Sequence, residues 1–141
     1  MSKDLYIENG DFVIKNGDFT TITGEKKLIQ DVLKICLTPV GANVLQPWYG
    51  SFINQTLIGS GLDSDTSLSV AENQLTSALE NLQKLQNLQI TSTNQKVTPD
   101  ELIASIRDVS ISQNTNDPRA YEVSITVLTK MFSKVNVSFS V

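Results

Sequence analysis

Apolar and polar residues alternate with a period of two along the last third of the chain. Residues 120–128 show this alternation, and the segment VNVSFSV at the C-terminus repeats it. Such a pattern is typical of strands that bury one side. The last strand carries its apolar residues at alternate positions: Val135, Val137, Phe139 and Val141. We therefore predict an antiparallel three-stranded meander over residues 108–141.

The N-terminus carries short apolar runs separated by Asn-Gly pairs. The tetrapeptide Asn-Gly-Asp-Phe occurs twice, at residues 9–12 and 16–19. Asn-Gly favours the positive φ angles of a type I′ turn, which joins adjacent antiparallel strands. The pattern predicts a small β-meander or hairpin region over residues 1–23.

Between residues 24 and 107 the apolar positions follow a helical period. A helix of about three turns begins at Gly24 with a wide apolar stripe and ends at Pro39. A long helix is predicted from about Thr66 to Leu88, and its leucines recur every seven residues for under three repeats. This row of leucines indicates an amphipathic helix that packs against the core of the protein, or one that also packs against a partner helix.

Two shorter helices complete this region. One would begin at Ser51 and end at Gly59. The other follows the sequence Thr98-Pro99-Asp100-Glu101, which has a capping box and a proline at the first helical position. The chain is thus predicted to contain three to four helices.

Helices and strands are segregated along the chain, which is typical of the α+β class. At 141 residues the chain is predicted to form a single domain. Its three parts are a β-hairpin region (1–23), a helical region (24–107) and a C-terminal β-sheet (108–141).

Composition narrows the possible functions. The net charge is −4 and no long basic run occurs, which argues against nucleic acid or an anionic membrane surface as a partner. Neither a secretory signal nor a membrane-spanning run is predicted. The sequence has no histidine and one cysteine, Cys36, so histidine-based nucleophilic catalysis, most zinc sites and internal disulfides are excluded.

The remaining catalytic possibility is a pair of carboxylates, as in glycosidases. Each of the principal acidic residues has a structural explanation in a turn, in a first helical turn or on an exposed helix face. No phosphate-binding glycine loop or metal-ligand spacing occurs. We therefore predict a protein that is not an enzyme and that binds no cofactor and no metal.

Several segments together resemble the small baseplate wedge family of contractile phage tails, which has relatives in type VI secretion baseplates. The first helix carries Gln30-Asp31 ahead of Leu-Thr-Pro-Val-Gly, and Tyr49-Gly50-Ser51 follows. Asp117-Pro118-Arg119 stands where that family has Glu-Pro-Arg before the last strands. The aspartate keeps the charge of the family's glutamate but has a shorter reach.

This resemblance implies a structural subunit of the inner baseplate ring around the tail tube, present in multiple copies and assembled in the host cytoplasm. Its partners would be larger wedge subunits, the sheath protein and the tube or hub proteins, with no nucleic acid or membrane. The implied interface comprises the triplet and the last strand: Asp117, Pro118, Arg119, Val135, Val137, Phe139 and Val141. The implied structural motif comprises Gln30, Tyr49, Gly50 and Ser51. The alternatives are a tail-associated peptidoglycan hydrolase, since that family was labelled lysozyme-like, and an adaptor unrelated to phage.

Overall fold

The computed structural model describes residues 3–53, 64–92, 96–117 and 120–141. Six two-residue strands come first: β1 (Asp4–Leu5), β2 (Ile7–Glu8), β3 (Asp11–Phe12), β4 (Ile14–Lys15), β5 (Asp18–Phe19) and β6 (Thr21–Ile22). Two α-helices follow, α1 (Gly24–Leu37) and α2 (Ser64–Ser92). A 3₁₀ turn (Pro99–Glu101) leads into the last three strands, β7 (Ile103–Gln113), β8 (Tyr121–Thr129) and β9 (Lys134–Ser140). The predicted α+β class is confirmed.

The N-terminal strands are built from three repeats of seven residues: DLYIENG, DFVIKNG and DFTTITG. Each repeat begins with an aspartate whose Oδ1 accepts the next backbone N–H, at 2.8, 2.7 and 2.8 Å. Each ends with a glycine at positive φ, namely 82°, 78° and 67°. The sequence prediction recognised the two Asn-Gly turns, where Asn9 and Asn16 also adopt positive φ. It missed the third repeat.

The three repeats pair in a closed cycle. Strand β2 pairs with β3, β4 pairs with β5, and β1 pairs with β6. The residues between the short strands close the centre, because Tyr6 N–H donates to Thr20 O, Thr20 N–H to Val13 O, and Val13 N–H to Tyr6 O, at 2.8, 2.9 and 3.0 Å. The predicted hairpins are therefore confirmed, and the pairing of β1 with β6, which the sequence did not predict, closes the cycle. We call residues 4–24 the N-terminal module.

Helix α1 joins the N-terminal module to the rest of the chain. Its inner face is fully buried and consists of Leu28, Val32, Ile35 and Cys36. This face packs against α2, β9 and the 3₁₀ turn. The predicted apolar stripe thus forms the centre of the core.

Gln30 fixes the N-terminal module to α1. Its Oε1 accepts the Ile7 N–H at 3.0 Å, and its Nε2 donates to Leu5 O at 2.8 Å and to Asp4 Oδ2 at 3.0 Å. The side chain is buried. One glutamine therefore satisfies backbone groups of two strands that the hairpin pairing leaves open.

The C-terminal sheet has the order β7-β8-β9, and both pairings are antiparallel. Its inner face packs against the helices and includes Ile103, Ile111, Val123, Ile125, Val127, Val135 and Val137. The predicted three-stranded meander is confirmed. It begins at Ile103, five residues earlier than position 108.

The helix predicted after Thr98 is wrong. Its capping box exists, because Glu101 Oε2 accepts the Thr98 N–H at 3.3 Å. The carboxylate also accepts the Gly24 N–H at 3.4 Å, and Glu101 is 2% exposed. After one 3₁₀ turn the chain extends into β7, since β-branched residues that pair with β8 outweigh a local start signal.

The described residues contain two α-helices, fewer than the three to four predicted. Helix α2 extends beyond the predicted Thr66–Leu88 at both ends. Most of the short helix predicted from Ser51, residues 54–59, lies outside the described residues. Ser51 itself forms a parallel bridge with Pro39.

Replacing Gln30 with methionine should loosen the N-terminal module selectively. The change keeps the side-chain volume but leaves the Ile7 N–H and Leu5 O without their partner, at a cost of about 2 kcal/mol. Native-state hydrogen exchange should speed up across residues 4–22 and stay unchanged in β8. Equal acceleration in β8 would contradict a local role for Gln30.

Candidate protein interface

Strand β9 presents an open backbone edge. Tyr121 and Val141 exchange two hydrogen bonds, with N···O distances of 3.1 and 2.9 Å. Because doubly bonded pairs recur at every second residue, the backbone groups of residues 135, 137 and 139 point toward β8. Those of residues 134, 136, 138 and 140 point away. Within the described chain, β9 pairs with no strand other than β8.

The opposite edge of the sheet is covered by α2. Glu72 Oε1 accepts the outward-facing N–H of Ile111 at 3.2 Å. Gln83 Nε2 donates to the carbonyls of Ile103 and Ala104 at 3.3 and 3.1 Å. Gln86 also contacts the start of β7, because its Oε1 accepts the Ile103 N–H at 3.0 Å. An additional strand therefore meets free backbone groups at β9 and side-chain partners at β7.

The apolar residues predicted as interface residues on β9 point inward. Val135 and Val137 are buried in the core, and Phe139 and Val141 are half-buried against it. Their side chains orient the strand. The backbone N–H and C=O groups at the open edge belong to the alternate residues Asn136, Ser138 and Ser140. The sequence analysis did not name these residues as interface residues.

The Asp117-Pro118-Arg119 triplet lies in the connection between β7 and β8. Asp117 is exposed, and its carbonyl accepts the Ala120 N–H at 3.1 Å. Pro118 and Arg119 lie outside the described residues, so their predicted contacts stay a prediction. Since Tyr121 pairs with Val141, this connection and the end of β9 lie at the same end of the sheet.

The Tyr49-Gly50-Ser51 motif docks onto the end of α1. Ser51 N–H donates to Thr38 O at 2.9 Å, and Ser51 Oγ donates to Cys36 O at 2.5 Å. Gly50 has a φ of 125°, and a Cβ placed there would lie 2.5 Å from Thr38 O. Only glycine therefore allows the returning chain to approach the helix end this closely. Tyr49 is half-buried against the core.

An ion-pair network connects α1 with β1. Lys34 Nζ lies 2.5 Å from Asp4 Oδ2 and 3.4 Å from Asp31 Oδ1, while Lys27 Nζ lies 2.7 Å from Asp31 Oδ2. The predicted Gln30-Asp31 pair thus holds the N-terminal module by two different means. Gln30 binds backbone groups of the module, and Asp31 pairs with Lys34, the lysine that contacts Asp4.

The network changes the protonation equilibria of its members. Burial disfavours the charged form of Asp4, but the Lys34 hydrogen bond and charge, with the Leu5 N–H, lower its pKa overall. Burial likewise opposes the charge of Lys34, but Asp4 and Asp31 raise its pKa. Burial raises the pKa of the Tyr49 phenol.

Reactive and metal-binding groups are scarce in the described part of the chain. Cys36 is buried, and burial raises the pKa of its thiol to about 12, so the thiol is unreactive. No group of three His, Cys, Asp or Glu side chains among the described residues could hold a metal ion. None of the described helices is long and apolar enough to cross a bilayer.

The fold is similar to that of a known structure. A crystal structure described as a "putative tail lysozyme" from Geobacter sulfurreducens superimposes with a TM-score of 0.62. The match covers 83% of this chain and 88% of that chain, at 15% sequence identity. At this identity the likeness shows the fold alone. No protein-family model and no curated protein matches the sequence.

Replacing Gly50 with alanine should destabilise the protein by about 2–4 kcal/mol, because the new Cβ meets Thr38 O at 2.5 Å and positive φ adds strain. Gly41 is the matched control, since it also has positive φ but no atom within 4 Å of an added Cβ. Gly41→Ala should cost about 1 kcal/mol. Equal losses in urea denaturation would show that close approach does not explain Gly50.

Replacing Asp4 with asparagine should remove part of the acid sensitivity of the fold. Because folding lowers the pKa of Asp4, its charge stabilises the protein above the unfolded value, near 3.8, and this stabilisation is lost as pH falls through the folded value. The stability difference between wild type and Asp4→Asn should therefore shrink from pH 6 to pH 2.

Asp11→Asn provides the control for this measurement. Asp11 occupies the equivalent position in the second repeat, and its Oδ1 accepts the Phe12 N–H. It makes no ion pair with any described residue. Urea denaturation at several pH values would measure both variants. A constant difference for Asp4→Asn would contradict the role of its charge.

Proposed function

We propose that the protein is a structural subunit of a contractile phage tail baseplate. In this role it belongs to the inner ring around the tail tube and links that ring to the sheath and to larger wedge subunits. The open edge of β9 is where a strand of a neighbouring subunit adds to the sheet. Main-chain hydrogen bonds would then supply affinity, as in other cases of strand addition.

The asymmetry of the sheet carries this proposal. Side chains of α2 occupy the β7 edge, whereas β9 keeps a seven-residue edge with one charged residue, Lys134. Proteins that stay monomeric usually protect such an edge with charges, proline or a covering element. The similarity of the fold to the structure described as a putative tail lysozyme supports the proposal independently.

A cell-wall hydrolase is the second candidate, because the structural neighbour is described as a lysozyme. Such an enzyme needs two carboxylates facing each other across a groove, roughly 5–10 Å apart. The Asp4 and Asp31 carboxylates both contact Lys34 Nζ, at 2.5 and 3.4 Å, and folding lowers the pKa of Asp4, which is unsuited to a general acid. The buried carboxylate of Glu101 accepts the backbone N–H groups of Gly24 and Thr98. We therefore propose a non-catalytic role.

Replacing Ser138 with proline tests strand addition directly. The Ser138 N–H faces the open edge, so its loss leaves the β8 ladder intact and should change monomer stability by no more than about 1 kcal/mol. It removes a donor from the proposed interface, so assembly with co-expressed tail proteins should be lost. Ser138→Ala keeps the N–H and should assemble normally.

Three further results would contradict the proposed function. Assembly of Ser138→Pro at the wild-type level would exclude addition at this edge. Clearing of peptidoglycan in a zymogram, abolished by one acidic substitution, would favour the hydrolase. Cryo-electron microscopy of the intact particle would test the placement, and a coding sequence without neighbouring tail genes would favour the unrelated adaptor.

A further inference from the structure

The N-terminal module exposes an apolar patch. Phe12, Ile14 and Phe19 are 48%, 61% and 53% exposed. The two phenylalanine rings contact edge to face, with centroids 5.8 Å apart. Phe12 lies opposite Ile7 in one strand pair and Phe19 lies opposite Ile14 in another, and the contact between the two rings connects these pairs. Exposed apolar groups that adjoin one another in this way mark an interaction surface.

This patch continues into a groove between the N-terminal module and α1. The groove has a volume of about 680 Å³. Ile7 and Thr21 form the wall on the module, and Ile29 and Leu33 form the wall on the helix. Leu37, one turn further along α1, is 47% exposed. The stripe from Ile29 to Leu37 spans about 12 Å, which matches two turns of a second helix.

The charges that line this groove differ from those of the whole protein. Lys15 and Lys26 line it, together with one acidic residue, Glu8, which gives a local balance of +1. Neither lysine forms an ion pair with any described residue. The chain as a whole carries −4. An acidic partner is therefore attracted to this groove although the protein itself is acidic.

We propose that the groove binds an amphipathic helix of another protein with an apolar stripe and acidic flanks. Its apolar residues pack on Ile29 and Leu33 at a helical spacing, and its carboxylates meet Lys15 and Lys26. Ile29, Leu33 and Leu37 recur every four residues along α1, which is the spacing at which one helix presents side chains to another. The inference is independent of strand addition at β9.

A displayed peptide library tests this proposal with the full-length protein. Peptides of about 18 residues, long enough to form a helix, carry fixed leucines at helical spacing and random residues at the flanks. Selection should enrich Asp and Glu at the flanks. The enriched peptides should bind the double variant Lys15→Glu, Lys26→Glu roughly tenfold more weakly, and Ile14→Ser more weakly as well.

The matched control is the double variant Lys84→Glu, Lys130→Glu, which changes two exposed lysines outside the groove and should bind as wild type does. Selection without an acidic bias would overturn the proposal, as would equal binding by the two double variants. Amide chemical-shift changes confined to α2 or β9 would also overturn it. Self-association that Ile14→Ser abolishes would instead assign the patch to a second copy of this chain.

Discussion

Burial of one face of α1 is the constraint on which the other elements depend. Leu28, Val32 and Ile35 occupy the centre of the core, between α2 and the inner face of the sheet. Other positions of the same helix form hydrogen bonds with the N-terminal module, with the chain at Ser51 and with Glu101. Gln30 holds the N-terminal module, Cys36 O receives the returning chain, and the first turn meets the Glu101 carboxylate. The apolar face supplies the driving force, and these polar contacts fix the orientation of each attached piece.

Local chemistry explains which parts of this arrangement the sequence predicts. Alternation located β8 and β9, and the apolar stripe located α1, because each pattern depends on one element burying one side. The Thr98 capping box failed as a helix signal because pairing of β7 with β8 decides the conformation after Glu101. The third N-terminal repeat was missed because Thr23 replaces the asparagine that marks the first two turns.

The open edge of the sheet could not be predicted from the sequence either. Alternation identified β9 as a strand, but it cannot say which edge of the sheet stays open. That depends on Glu72, which lies 39 residues before the Ile111 N–H that it covers. It depends equally on Gln83, which no motif distinguishes from the other glutamines of α2. Contacts of this kind arise from the packing of α2 on β7, so they become visible only in three dimensions.

The two surfaces proposed as interfaces, the β9 edge and the groove beside the N-terminal module, would select their partners in different ways. Strand addition at β9 would use main-chain groups that every residue except proline possesses, so it would leave the partner sequence free to diverge. The proposed groove beside the N-terminal module is lined by side chains, so recognition there would depend on the identity of a few residues such as Lys15 and Lys26. Substitutions that accumulate over time should therefore change the choice of partner less readily at the β9 edge than at the groove.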